Sequence, residues 1–182
     1  LQRIEMYDDP VRTDHLDLVQ FHMSPSVSTL TEHDSIAALQ ALQQEGKVRF
    51  LGMSGVLPHL ADHIELGVFD AFQIPYTAVE IEHEQIITTA AQGGAGTIIR
   101  GGVAKGLPDP PPASSAQPRG YRDAFVARKH RFTKANVDDL LDGETEAQFL
   151  LRYTLSHPDV HTTIVGTQNP KHLAANVAAA LR

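Results

Sequence analysis

A histidine at the end of a predicted strand is the first candidate for chemistry in this sequence. His22 follows the short apolar run Leu16–Phe21 and precedes Met23, Ser24 and Pro25, which indicates a buried strand leading into a loop. At such a position an imidazole can donate a hydrogen bond to a carbonyl oxygen on which negative charge develops during hydride addition. The chain has ten histidines, so a histidine with a structural role is the alternative for this residue.

A second candidate lies near the carboxyl end of the chain, where a glycine joins a predicted strand to a predicted helix. Gly166 and Thr167 follow the apolar run Thr162–Val165, and Pro170 begins the helix. Backbone N–H groups at such a turn can approach a phosphate closely, the helix amino terminus favours negative charge, and Lys171 adds a positive charge. The pattern indicates an anion site, although similar turns also occur in barrels that bind no ligand there.

These candidates depend on strands and helices that alternate along the whole chain. The predicted strands cover Leu16–Phe21, Val48–Met53, Phe69–Ile74, Gly96–Ile99 and Thr162–Val165. The predicted helices are a segment with Ile36, Leu39 and Leu42 on one face that ends at Gly46, then Pro58–Glu65, Glu82–Gln92, Tyr121–Phe132, Glu144–Ser156, and a last helix from Asn169-Pro170 with Leu173, Val177 and Leu181 on one face.

Two finer features complete this assignment. Thr31 and Asp34 have the spacing of a capping box before the first helix. The stretch 101–120 is rich in proline and glycine, and we predict a long loop there. A surface insertion and a lid over a cofactor are both open interpretations of that loop.

The alternation of strands and helices predicts an α/β fold with a parallel sheet, in one domain over residues 1–182. No Gly-x-Gly-x-x-Gly turn follows an early strand, which favours a barrel over a dinucleotide-binding open sheet. A closed (β/α)8 TIM barrel takes about 250 residues, so this chain predicts a partial barrel of about five βα units.

Composition narrows the classes of function. Fifteen Lys and Arg against 22 Asp and Glu give a net charge of −7, which argues against a nucleic-acid partner. The absence of cysteine excludes a disulfide framework, a thiolate metal site and a cysteine nucleophile. No apolar run reaches the roughly 20 residues that span a bilayer, so we expect no membrane span and a cytoplasmic protein.

Four blocks of sequence, taken in order, resemble the aldo/keto reductase family. They are Thr13–His22, Gly46–Gly55, Phe72–Tyr76 and Thr163–Asn176, and they resemble segments at the fourth, fifth, sixth and eighth strands of that family's barrel. The chain therefore looks like the carboxy-terminal part of the family. The resemblance implies an NAD(P)H-dependent oxidoreductase that reduces aldehydes or ketones to alcohols by hydride transfer.

The resemblance also implies roles for individual residues. His22 would be the active-site histidine, Ser54 and Gln73 would hold the nicotinamide carboxamide, and Tyr76 would stack on the nicotinamide ring. The remaining cofactor contacts would come from Arg100, Gly101, Gly166, Thr167, Lys171 and Asn176. The family generally prefers NADPH, with NADH as the alternative.

This sequence departs from the family pattern at several positions. Gly55 replaces the usual Asn after Ser54, and Ala175 replaces the usual Glu before Asn176, which weakens the implied adenine contact. The family's proton-donating tyrosine and its supporting lysine and aspartate lie in strands one to three, which have no matching block here. Loss of a general acid costs about 10²–10⁴-fold in rate, so we expect the chain alone to be nearly inactive.

Other interpretations stay open. The chain begins abruptly and without Met, which suggests a fragment; if it is complete, two unpaired sheet edges predict a homodimer. A remnant that binds cofactor or a protein partner without chemistry is one alternative to a reductase acting on a small carbonyl compound. A metal-dependent hydrolase is another, disfavoured because no His-x-His pair lies at the end of a predicted strand. Its ligands would be Asp17, His22, Glu80, Glu82, His83 and Glu84.

Overall fold

The computed structural model of the chain describes residues 13–103 and 119–181. Five strands form one sheet in the order β1-β2-β3-β4-β5, and each neighbouring pair is parallel. The strands are β1 Leu16–His22, β2 Val48–Ser54, β3 Ala71–Pro75, β4 Gly96–Arg100 and β5 Thr162–Ile164. A sheet whose spatial order follows the chain order is what consecutive βα units of a barrel produce. The predicted α/β class and partial barrel are confirmed.

Helices follow the strands along the described residues. They are α1 Val27–Glu32, α2 Ser35–Gln44, α3 His59–Glu65, α4 Glu84–Gln92, α5 Arg119–Lys134, α6 Glu146–Ser156 and α7 Pro170–Ala180, with a short 3₁₀ helix at Val137–Leu140. None of the described helices has both the length and the apolar character that a membrane span requires.

One face of the sheet packs against helices and carries the main core. Its side chains come from alternate strand positions, because successive side chains of a strand point to opposite faces. The fully or almost fully buried members of the core include Leu51, Met53, Leu60, Phe72, Ile74, Ile87 and Ile99. Each such side chain contributes about 1.5–3 kcal/mol through burial, so this face stabilises the five strands in their places.

The opposite face of the sheet is open over much of its area. The side chains of Phe50 and Ile164 lie on this face and are 45% and 53% exposed. In a closed barrel the corresponding face would be the packed interior. The open face is therefore the side of the sheet on which a ligand can approach the strand ends.

Two details of the helices differ from the sequence predictions. The predicted capping box of Thr31 and Asp34 is wrong, because Ser26 caps α1 by accepting a bond from Thr29 N, and Asp34 adopts left-handed backbone without a side-chain cap. The predicted loop at 101–120 is described only through Val103, and its last two residues belong to α5. Its remaining part, 104–118, lies outside the described residues.

The last helix carries the predicted apolar stripe, but the stripe is exposed. Leu173, Val177 and Leu181 are each more than half exposed, whereas Ala179 is the buried residue of α7. Helix α7 packs against α6, which brings the amino-terminal ends of both helices to the same end of the sheet.

Candidate functional site

Polar side chains from the first three strands line up at the carboxyl end of the sheet. In the strand register His22 pairs with Ser54 and Ser54 pairs with Gln73, so the three side chains share the open face. Ser54 is 4% exposed, and its Oγ donates a 3.0 Å hydrogen bond to Oε1 of Gln73. This polar row of His22, Ser54 and Gln73 presents imidazole, hydroxyl and amide groups to the same space.

A cavity of about 760 Å³ lies at the ends of the other two strands. Its walls come from the residues after β4, the end of β5, the amino-terminal turn of α6 and the first two turns of α7. The lining residues are Gly101, Val103, Thr145, Glu146, Ala147, Gln148, Ile164, Val165, Gly166, Thr167, His172, Ala175 and Asn176. We call this space the β5 cavity.

Two helices begin at the β5 cavity, and each is capped by a side chain. At α6, Oγ1 of Thr145 accepts from Gln148 N at 3.3 Å, while Oε1 of Gln148 accepts from Thr145 N at 3.0 Å. At α7, Oδ1 of Asn169 accepts from Lys171 N at 3.0 Å. Both helices have eleven residues, and their amino-terminal dipoles therefore favour negative charge in the cavity.

The glycines of the β5 cavity leave room for a close ligand. A Cβ built on Gly166 would meet no atom within 4 Å, so the backbone there is bare toward the cavity. Gly101 has a φ of +77°, a conformation that side-chain-bearing residues rarely adopt. Ligand cavities commonly measure about 300–1,000 Å³. A cavity of this volume, with bare backbone and helix amino termini in its walls, can accommodate a ligand that carries phosphates.

The structure brings four of the nine predicted cofactor residues together in the β5 cavity. They are Gly101, Gly166, Thr167 and Asn176. Arg100 ends β4 beside this cavity and pairs in register with Ile164, and Lys171 lies exposed in the first turn of α7. Ser54 and Gln73 belong instead to the polar row, at the ends of β2 and β3.

Tyr76 is the predicted residue that the structure places elsewhere. It is 2% exposed, and its ring packs against Tyr153 and His157, with centroids 5.9 and 5.4 Å away. Burial, with a contribution from a hydrogen bond to Tyr153, raises the pKa of its hydroxyl above the ordinary value. Its ring packs on the helix side of the sheet, whereas Gln73 lies on the open face, and its stacking on a nicotinamide stays a prediction.

Helix α6 contributes to the cavity, a role that was not predicted from the sequence. Thr145, Glu146, Ala147 and Gln148 line the cavity through the helix start, and His172 lines it from α7. The Thr-x-x-Gln spacing of Thr145 and Gln148 is a capping-box signal that marks this helix start in the sequence.

The residues proposed for a metal site do not converge. Within residues 13–103 and 119–181, no group of three or more His, Asp or Glu side chains is arranged to hold a metal ion. Asp17 pairs with Arg49, and Glu82 pairs with Arg131 at 3.0 Å. His83 Nε2 accepts a 3.2 Å bond from Leu57 N, so these side chains have structural partners instead of a shared ligand.

Comparisons of the sequence and the fold relate this chain to known proteins. The sequence model of the aldo/keto reductase family matches residues 3–182. An uncharacterized oxidoreductase, YqkF of Bacillus subtilis, is 23% identical over 174 residues, which cover 93% of this chain and 56% of that protein. L-galactose dehydrogenase of Arabidopsis thaliana is 26% identical over 156 residues, covering 80% of this chain and 46% of that protein.

A solved structure supports the fold independently of the sequence blocks. The aldo-keto reductase AKR11C1 from Bacillus halodurans, in its holo form, superposes with a TM-score of 0.73 at 23% identity, over 94% of this chain and 55% of that one. The chain thus spans about half the length of the relatives that it matches. It belongs to the aldo/keto reductase family, and its five βα units form part of that family's barrel.

Proposed function

We propose that this chain forms the cofactor-binding part of an NAD(P)H-dependent reductase that converts aldehydes or ketones to alcohols. The observation that carries the proposal is the β5 cavity, where two helix amino termini and the bare backbone of Gly166 converge at the sheet edge that also holds the polar row. A dinucleotide needs both features, because its phosphates require backbone donors and its nicotinamide requires polar groups at a distance from them.

Each group of residues has a distinct role in this proposal. The nicotinamide cofactor supplies the hydride when it is bound. Gly101, Gly166 and Thr167 contact its phosphates through backbone and hydroxyl donors, and Asn176 contacts the adenosine end. In the polar row, Ser54 and Gln73 hold the carboxamide. His22 donates a hydrogen bond to the carbonyl oxygen of the substrate, where negative charge develops during reduction.

NADPH is the proposed cofactor, with NADH as the alternative. Arg100 and Lys171 directly precede the lining residues Gly101 and His172 in the chain, and we assign their positive charges to an additional phosphate of the ligand. Glu146 on the cavity wall would repel a phosphate. Its negative charge is partly offset by the helix dipole, because it lies in the first turn of α6. We also propose a cytoplasmic location, with which a chain without cysteine is compatible.

A titration with NADPH tests the proposal, and the cofactor's own fluorescence reports binding cleanly because the chain has no tryptophan. We expect saturable binding by the folded chain. Gly166→Asp should weaken it by at least about tenfold, because a carboxylate would enter the space of the phosphates. Ala174→Asp is the matched control, since it adds the same charge to an exposed position of α7 that does not line the cavity.

The outcomes of this titration are distinct. Binding that Gly166→Asp abolishes and Ala174→Asp leaves within about twofold would support the site. Equal NADPH affinities in the parent chain and both variants would mean that the cofactor binds outside the β5 cavity. Absence of binding by folded protein would overturn the proposal.

A second candidate function is binding without reduction. The exposed Phe50 and Ile164 on the open face favour it, because apolar side chains at a sheet face are typical of a surface that another polypeptide covers. A homodimer is one such assembly, and sedimentation of the purified chain would detect it. NADPH consumption with a panel of aldehydes and ketones separates the two functions, since binding without consumption would favour this candidate.

A further inference from the structure

The loop that follows His22 has an uncommon backbone. Met23 and Ser24 have φ values of 73° and 47°, so two consecutive residues with side chains adopt left-handed conformations directly after His22. Such conformations persist only where the surrounding structure holds them, and they occur often at functional sites. The contacts of residues 22–26 therefore decide where the His22 ring lies.

The first set of contacts comes from the end of β2. Oγ of Ser24 accepts a 2.6 Å hydrogen bond from Val56 N and donates one of 3.3 Å to Val56 O. A Cβ on Gly55 would lie 2.9 Å from this Oγ, so the hydroxyl occupies space that a side chain at position 55 would take. Gly55, which departs from the family pattern, thus leaves the space that the hydrogen bond between Ser24 and Val56 requires.

The second contact comes from α3. His63 is 0% exposed, and its Nε2 donates a 2.7 Å hydrogen bond to the carbonyl of Pro25. Its Nδ1 is buried without a hydrogen-bond partner, so the bond to Pro25 fixes which way the ring faces. Burial lowers the pKa of His63, which favours the neutral imidazole that donates through Nε2.

The same imidazole also supports the strand side of the loop. Its ring meets Phe69 edge to face at 6.2 Å between centroids, and Phe69 meets Phe21 in the same way at 6.0 Å. Phe21 immediately precedes His22 in β1. His63 therefore contacts the segment after His22 directly and the segment before it through one aromatic ring.

We propose that His63 is a positioning residue for His22, which it acts on through its hydrogen bond to the Pro25 carbonyl and its packing through Phe69 onto Phe21. This inference rests on the proposed function only in that His22 is the residue that meets the substrate. The competing account is a core histidine whose loss lowers the stability of the whole sheet and has no particular effect on His22.

The test compares His63→Phe, which keeps an aromatic ring and removes the donor, with His63→Gln, whose amide can still donate to Pro25. The first readout is the His22 ring Cε1–Hε1 cross-peak in NMR spectra of the cofactor-free chain, assigned with a His22→Gln variant. The second readout is hydrogen exchange at the Val56 amide, which is bonded to Ser24. The control is His161→Phe, which removes the acceptor for Thr97 N in β4, away from this loop.

We expect His63→Phe to shift or split the His22 cross-peak and to speed exchange at Val56 by at least about tenfold more than at the Thr97 amide. His63→Gln should restore both, and His161→Phe should leave both unchanged. If His63→Phe fails to fold, His63→Met supplies the second test, because it fills the buried space with an apolar side chain that cannot donate to Pro25 and should produce the same two effects.

An unmoved His22 cross-peak, or equal acceleration of exchange at Val56 and Thr97, would overturn the inference and leave a core role only. Because neither readout uses a cofactor, this result is separate from the fate of the proposed function. NADPH affinity should stay within about twofold of the parent value in His63→Phe, because the β5 cavity is built after β4 and β5, on the opposite side of the sheet from the loop after β1.

Discussion

The polar row and the β5 cavity both lie at the carboxyl ends of the strands, but they are built from different parts of the chain. The row consists of side chains at the ends of β1, β2 and β3, and it depends on the strand register and on the internal bond between Ser54 and Gln73. The cavity depends on backbone, at Gly166 and at two helix amino termini. The row should therefore be sensitive to the loss of single polar atoms, and the cavity to added bulk or charge.

The largest expected effect is a loss of stability that affects the polar row and the β5 cavity together. Ile74 is fully buried in β3, which pairs with β2 at the row and with β4 beside the cavity. Ile74→Ala should lower the free energy of unfolding by about 2–5 kcal/mol, because it leaves a void under the shared strand. Urea denaturation followed by circular dichroism measures the change.

Ile164→Ala is the control for that experiment. Ile164 lies on the open face and is about half exposed, so truncation should change the free energy of unfolding by only about 0.5 kcal/mol. Similar losses in both variants would mean that the open face is covered in solution and that the two faces do not differ as described.

The second effect is a difference in stability loss when one hydroxyl is removed from the polar row and one from the β5 cavity. Ser54→Ala removes a buried donor and leaves Oε1 of Gln73 without it, which should cost about 1–3 kcal/mol. Thr167→Ala in the cavity removes an exposed hydroxyl that accepts from Asn169 N, and should cost less than about 1 kcal/mol. Urea midpoints of the two variants check the order, and a larger loss for Thr167→Ala would contradict it.

The third effect concerns the helix caps on the two sides. Thr145→Ala removes the hydroxyl that accepts from Gln148 N and donates to Oε1 of Gln148 at the start of α6, and we expect a loss of about 1 kcal/mol together with weaker NADPH binding. Ser26→Ala removes one capping bond of α1, a helix of six residues remote from the cavity, and should leave NADPH affinity unchanged. Calorimetric titration of both variants decides whether the α6 terminus belongs to the cofactor site.

The smallest effect is a dependence of stability on pH that originates near the row. Burial lowers the pKa values of His63 and His83, so at these sites the unfolded chain binds protons more readily than the folded chain below about pH 6.5. Stability is then full above pH 6.5 and falls as the pH is lowered through that value. Urea midpoints between pH 7.5 and about 5.5 should decrease, and less so in His63→Gln; a flat profile would contradict this.

The strands could be predicted from sequence because each is a short apolar run with a polar or glycine boundary, and all five were found within about three residues of their observed bounds. Helix α1 was missed because six residues carry too little periodicity, although Ser26 is a good cap. The apolar stripe of α7 was found, but its exposure depends on what covers the helix, which the local pattern does not contain.

For the site, the alternation of side chains along a strand is the informative signal, because it indicates which face of the sheet each residue occupies. Phe72 and Ile74 are buried on the helix side, and continuing that period to Tyr76 places its ring beside them and away from Gln73. The participation of α6 follows from tertiary packing against α7 and could not be predicted from the capping box alone. His63 gave no signal, because its bond to Pro25 joins residues 38 positions apart.

The central claim is that the row and the cavity bind the two ends of one cofactor. The most direct measurement is a pair of titrations, with NADPH and with 2′-phosphoadenosine diphosphoribose, which lacks the nicotinamide. Gln73→Ala should weaken the binding of NADPH by about five- to tenfold and leave the affinity for the shorter ligand unchanged, whereas Gly166→Asp should weaken the binding of both ligands. Equal weakening of both ligands by Gln73→Ala, or retained binding of the shorter ligand by Gly166→Asp, would contradict the account.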